Sequence, residues 1–163
     1  MATRSTIAIE LPDGTVSQVY CHWDGYLDHN GRILLKHYNS PELAAELIYH
    51  GDISSLKQVV GEQHDFDERF PDDDPRSTWT NYYGRDRGEE GCGVKSFKDF
   101  EDYKANHQYE EYEYIMRKGE WYVAEYGGNY LNLADRLVEE GYDSVMEMVD
   151  DSELSCYNTI FNN

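Results

Sequence analysis

His22 and Asp24 stand two residues apart in the run Val19-Tyr20-Cys21-His22-Trp23-Asp24-Gly25-Tyr26. The run reads as the second strand of a hairpin entering a Gly-containing bend. Successive strand side chains point to opposite faces, so His22 and Asp24 share a face with Tyr20. Val19, Cys21 and Trp23 form an apolar set on the other face. A carboxylate placed like Asp24 can orient the imidazole. The bland alternative is a polar pair closing the hairpin's end over a core tryptophan. Cys21 and His22 are adjacent in an extended strand and point apart, so they cannot make the thiol–imidazole hydrogen bond that activates a nucleophile. No further histidine or cysteine stands at ligand spacing, so no metal site is expected here.

Arg85 and Arg87 are the second group with possible chemistry. They lie in Gly84-Arg85-Asp86-Arg87-Gly88-Glu89-Glu90-Gly91-Cys92-Gly93. The stretch is Gly-rich but lacks the Gly-Lys-Ser/Thr of a phosphate loop. The two arginines either grip an anionic ligand or pair with Asp86 and Glu89. Were the fold to gather Tyr20, His22, Asp24, Tyr26, Arg85 and Arg87, they would line a pocket in which aromatic faces stack a base and Arg holds phosphate. A nucleotide-like signal would be sequestered or hydrolysed there.

Charge points elsewhere. Lys and Arg number 14 against 33 Asp and Glu, a formal net charge of −19. Residues 1–60 hold 7 acids and 4 bases, and residues 61–163 hold 26 and 10. Such a surface repels phosphate backbones, so no direct nucleic-acid binding is expected. A basic protein partner is favoured, although strong acidity also serves plain solubility. The carboxylates expected to meet that partner are Asp65, Asp67, Glu68, Asp72, Asp73 and Asp74 of an exposed acidic loop over 61–77, Glu110, Glu111 and Glu113, and the C-terminal Glu139, Glu140, Asp143, Glu147, Asp150 and Asp151. The Asp72–Asp74 run lacks the spacing and glycine of a calcium loop.

These residues need a scaffold. A chain of 163 residues suffices for one domain with a substantial core, and its 15 tyrosines argue against disorder. The three cysteines are far apart, without a C-x-x-C, as in reduced cytoplasmic proteins. No signal-peptide core or bilayer-spanning run is present, so a soluble, cytoplasmic protein is expected.

Ile7, Ile9 and Leu11 alternate with Thr6, Ala8 and Glu10, predicting a half-buried strand. A three-residue Pro12-Asp13-Gly14 loop then sets Ile7 opposite Val19. A short helix is expected over 32–38. Ser40-Pro41 opens another, with the stripe Leu43, Ala44, Leu47 and Ile48 and a stop at Gly51. Residues 77–83 read as a strand. Ser96 with Asp99 reads as a capping box for a helix from Phe97 to about Ala105. Lys118-Gly119 makes a second hairpin that pairs Met116 with Trp121, Tyr114 with Val123 and Arg117 with Glu120. Asn132 caps a helix ending at Gly141, a final helix runs over 144–150, and 155–163 is a frayed tail. The expected fold is α+β: two β-hairpins plus a further strand form a mainly antiparallel sheet, with several short helices packed on it. Leu43–Gly51 and Leu133–Gly141 are similar enough to raise duplication of a β-β-α unit, or chance likeness of two capped helices.

At Thr3-Arg4-Ser5-x-Ile7, Tyr20–Tyr26, Asn30-Gly31-Arg32-x-Leu34 and Gly51-Asp52-Ile53-Ser54-Ser55-Leu56 the chain resembles a family of small bacteriophage accessory proteins. Tyr83–Glu89 matches more loosely. The resemblance implies a phage product acting in the bacterial cytoplasm, and such proteins often block a host defence. Charge and resemblance together favour an acidic inhibitor that occupies the nucleic-acid site of a host defence or nucleic-acid-processing enzyme. The aromatic/Arg pocket for a nucleotide-like signal is the alternative. No nucleophile–base motif, metal cluster or cofactor fingerprint is found, so neither catalysis nor a cofactor is expected.

Overall fold

The structure, a computed structural model, describes residues 2–141. The expected helix over 144–150 and the tail 155–163 lie outside the described residues. Strand β1 (Ser5–Glu10) turns into β2 (Val16–Cys21). Gly14 takes φ +90°, and the Leu11 N–H donates to the Thr15 carbonyl at 2.8 Å. Asp13 Oδ1 accepts from the Thr15 N–H at 3.0 Å. That loop sets Ile7 opposite Val19, the register matching the two apolar faces.

The second hairpin, β6 (Tyr112–Arg117) and β7 (Glu120–Glu125), also has the expected pairs: Met116 with Trp121, Tyr114 with Val123 and Arg117 with Glu120. Lys118 (φ +52°) and Gly119 (φ +83°) supply the left-handed two-residue turn that suits strand twist. Smaller strands complete the sheet: β3 (Ile53–Ser55), β4 (Asn81–Tyr82), β5 (Lys95–Phe97) and β8 (Leu131–Asn132). The order is β4-β3-β2-β1-β6-β7-β8, with β5 beside the start of β2. Pairings β1–β6 and β2–β3 are parallel and the other five antiparallel. The fold is α+β with a mainly antiparallel sheet.

Helices α1 (Arg32–His37), α2 (Pro41–Tyr49) and α5 (Leu133–Glu139) cover one face. The Ser40 hydroxyl caps α2 by accepting from Leu43 N, and Asn132 Oδ1 caps α5 by accepting from Asp135 N. Beneath them Ile7, Val19, Cys21, Leu34, Leu47, Tyr114, Trp121 and Leu137 form one core. Burying each large apolar side chain there contributes about 1.5–3 kcal/mol. Trp121 Nε1 donates to the Tyr38 carbonyl at 3.0 Å, so its polar atom is satisfied. Leu43, placed in the stripe of α2, is instead 43% exposed.

The other face is also covered, so β1 is buried on both sides rather than half-buried: Thr6 and Ala8 are 0% exposed. Helix α4 (Phe100–Asn106) lies there, and Tyr103 packs with Ala8, Val16 and Ile115. Its start differs from expectation. Asp99, not Ser96, caps it by accepting from Asp102 N at 2.8 Å, and Phe97 belongs to β5. The stretch 77–83 is a strand only at Asn81–Tyr82, because Asp74 caps a 3₁₀ turn over Pro75–Thr78. The Gly-rich stretch begins as helix α3 (Tyr83–Arg87), which Gly88 ends at φ +73°. Trp23 is not core. β2 stops at Cys21 and Asp24 adopts φ +58°, which turns Trp23 outward.

The two hairpins are not copies related by a rotation. β1 and β6 run parallel as neighbours, and their partners β2 and β7 flank them on opposite sides. Inward-facing Ile7, Val19, Tyr114 and Val123 share one core, so both hairpins show it the same face. Units so arranged have opposite hand, and the likeness of 43–51 to 133–141 is confined to the helices.

Candidate binding surfaces

The 61–77 segment is anchored at its aromatic residues and exposed at its acids. Phe66 lies 5.5 Å from the Tyr83 ring, His64 packs on Phe70 and Trp79, and the His64 N–H donates to Asp86 Oδ1. Glu62, Asp65, Asp67, Glu68, Asp72 and Asp73 are exposed. Asp74 is half-buried and bound to Arg76 (Nη2 to Oδ2, 2.7 Å), which holds its carboxyl below the ordinary range.

The other expected acids divide. Glu110 lines a shallow polar cleft of about 340 Å³ with Arg4, Tyr20, Asp52 and Gln108. Glu111 is half-buried. Exposed Glu139 and Glu140 converge with Glu125 on Arg136, three carboxylates around one guanidinium. Asp143, Glu147, Asp150 and Asp151 lie outside the described residues. Glu113 is not a surface acid: it is 2% exposed, on the α4 side of the sheet. There its Oε1 meets His107 Nε2 and accepts from Tyr130 OH at 3.3 Å. Burial pushes the Glu113 carboxyl up, and the facing imidazole opposes that rise. Alternation along β6 assigns Glu113 to the face opposite Tyr114, but the layer covering that face is built by a distant helix.

Arginines are largely committed to the chain itself. Arg32 pairs with Asp28, Arg76 with Asp74, Arg85 with Asp86, Arg87 with Glu89, Arg117 with Glu10 and Arg136 with its three acids. Of the two readings of Arg85 and Arg87, ion pairing is what the geometry provides. Arg85 is the deeper. Its Nε and Nη2 hold Asp86, its Nη1 and Nη2 donate to the Val60, Gly61 and Thr80 carbonyls, and it lies 4.5 Å over the Tyr82 ring. Asp86 also accepts from Tyr82 N at 2.8 Å. The pair therefore ties α3 to the loop.

The six residues of the alternative pocket are placed in separate groups. Tyr20 OH and His22 Nδ1 are 2.6 Å apart, and burial raises the Tyr20 phenol. Asp24 and Tyr26 belong to the following bend, where burial and the Asp24 carboxylate raise the Tyr26 phenol. Arg87 lies over Phe66 and Tyr83. Neither arginine makes a hydrogen bond, ion pair or ring contact with Tyr20, His22, Asp24 or Tyr26. Cys21 is fully buried, and desolvation pushes its thiol up to about 11. Among the described residues, no group of three or more His, Cys, Asp or Glu is placed to hold a metal ion. None of their helices is long and apolar enough to cross a membrane.

Asp52 was missed in sequence. Its Oδ1 accepts from Tyr20 N at 2.9 Å, and burial raises its carboxyl. A single acid after a helix-ending glycine carries no pattern that marks it. Also missed was a cleft on the inner side of the 61–77 loop, whose signal was the aromatic pair Phe66 and Phe70 within an otherwise charged stretch. No protein-family model, curated protein or solved structure matches this chain.

Proposed function

We propose that this is a phage-encoded acidic binding protein that inhibits a host defence or nucleic-acid-processing enzyme in the host cytoplasm, presenting carboxylates where that enzyme receives nucleic acid. One observation carries the reading: six arginines are bound to carboxylates of the same chain, while Asp65, Asp67, Glu68, Asp72 and Asp73 remain exposed on one anchored loop. Internal pairing takes up Arg76 on the loop and Arg87 beside it, so exposed Arg69 alone of the loop's cations stands against its exposed acids, and a negative field is directed at solvent. Duplex DNA shows one negative charge per about 1.7 Å of axis, so a Lys/Arg cleft built for it also attracts such a face. Association is then fast and salt-sensitive. The partner is a basic protein such as a nuclease or defence effector.

The test is capture from host lysate at low and high salt, followed by competition. The expected partner is a nucleic-acid enzyme that binds at low salt, dissociates at high salt and is displaced by duplex DNA. A complex indifferent to ionic strength and to added duplex would defeat the reading.

A further inference from the structure

The run from Tyr20 to Asp24 has no part in the acidic loop, and its tryptophan faces solvent. Trp23 is 43% exposed, whereas Trp121 is buried and Trp79 half-buried. The Trp23 backbone is nonetheless fixed on both sides. Its N–H donates to the Ser54 carbonyl at 3.0 Å, and its carbonyl accepts from Nδ2 of buried Asn30 at 3.4 Å.

The side chain is braced as well. The His22 ring stands at 84° to the indole, with the ring centroids 4.7 Å apart. His22 is held in turn by Tyr20, whose hydroxyl lies 2.6 Å from Nδ1. Tyr20, His22 and Trp23 thus form a ladder that offers one indole to solvent in a set orientation. A large side chain held this way loses little freedom on contact, which makes it an efficient interface anchor.

The kind of contact follows from what the ring lacks. Arg76, Arg85, Arg87, Lys104 and Arg117 each lie over a phenyl or phenol ring of the same chain, 3.6–4.9 Å from its centroid. Among the described residues, no cation lies over Trp23. An indole is the best aromatic face for a cation, and this one is left open in a chain of −19. A nucleobase would stack on the same ring but would carry phosphate towards that charge. A guanidinium is attracted instead. It stacks on aromatic faces better than an ammonium, which is a compact and strongly hydrated charge.

We propose that Trp23 anchors an arginine side chain of the basic partner, the guanidinium stacking on the indole that His22 and Tyr20 brace. Such a contact rests on the acidic-surface reading for the partner's charge, and supplies a short-range anchor that the carboxylates lack.

Isothermal titration of the full chain with hexa-arginine and hexa-lysine peptides at low salt tests it. The peptides carry equal charge, so the acids attract both and the indole separates them. Trp23→Leu should weaken hexa-arginine by about two- to fivefold and hexa-lysine by less. The thermal melt should be unchanged, because the replaced side chain is exposed. Trp23→Phe, which keeps an aromatic face, should restore part of the loss. Replacing Asp65, Asp67, Asp72 and Asp73 by Asn should weaken both peptides alike. Hexa-arginine affinity unmoved by Trp23→Leu, or an equal loss for both peptides, would overturn the anchor and leave the acidic surface standing. Peptides indifferent to the four Asn replacements, with hexa-arginine still responding to Trp23→Leu, would overturn the acidic surface and leave the anchor. Absence of hexa-arginine binding would overturn both.

Discussion

Nε of Arg85 lies 2.9 Å from Oδ1 of Asp86, two neighbours on one short helix whose side chains are both turned inward. The carboxylate is fully enclosed and the guanidinium reaches three carbonyls of other segments. Breaking a buried pair from one side leaves the other charge uncompensated. Asp86→Asn should therefore cost about 3–5 kcal/mol in urea unfolding. Amide exchange should accelerate around residues 60–66, where the clamp acts. Glu89→Gln, which breaks the exposed pair with Arg87, should cost at most about 1 kcal/mol.

Two glycines with similar backbone angles should respond differently to alanine. Gly61 (φ +67°) faces the Trp79 indole, whereas Gly119 (φ +83°) has nothing within 4 Å of an added Cβ. Gly119→Ala carries only backbone strain, about 1 kcal/mol. Gly61→Ala adds overpacking against a large ring, for a total of about 2–5 kcal/mol. Thermal melts of the two variants should separate accordingly, and near-ultraviolet dichroism should report displaced Trp79 only in the first.

Cys21 should make the protein alkali-sensitive. Its folded thiol is raised from 9.0 to about 11 by complete burial. Below the unfolded value both states hold the proton and stability is full. Above it the unfolded chain releases its proton first, so stability falls as pH rises, by about 3 kcal/mol by the time the folded thiol titrates. Denaturant titrations at a series of alkaline pH values should show this slope, and Cys21→Ala should remove the part that begins near pH 9, leaving the steeper fall above pH 10 that buried tyrosines such as Tyr82 and Tyr114 contribute in the same direction. In the native protein, half-buried Cys92 should alkylate before Cys21, as read by peptide mass mapping.

Neutralising the loop should separate binding from folding. Replacing Asp65, Asp67, Asp72 and Asp73 by Asn alters exposed side chains, so stability should change by no more than about 0.5 kcal/mol per site. Affinity for the captured partner should fall, with a shallower dependence on salt concentration. Glu113→Gln should do the reverse, lowering stability through His107 while leaving partner binding intact.

Local pattern was sufficient for the hairpins. Ile7 opposite Val19 and Met116 opposite Trp121 followed from turn length and alternation, which are properties of a few adjacent residues. The caps Ser40 and Asn132 were legible for the same reason. What was not legible depended on distant chain. Thr6 and Ala8 look like the wet side of a strand until α4 arrives to cover them. Glu113 looks like one more surface acid until His107 meets it. Alternation extended past Cys21 predicts a core Trp23, but a left-handed Asp24 ends the strand's period. The cleft under the 61–77 loop needed Lys57 and Asn81 from either side of the loop, a juxtaposition no local spacing reveals.

The central seam, where residues 5–9 lie parallel to 112–116, carries a consequence for biosynthesis. The first strand emerges from the ribosome early, and its neighbour on that side follows only after about a hundred more residues have been made. Until then a Val- and Ile-rich hairpin shows an unpaired backbone edge, the kind of edge that recruits foreign strands. Closing so long a loop is also slow. Nascent chains stalled before residue 112 should therefore depend on chaperone protection, while the finished molecule has that edge sealed in the middle of its sheet.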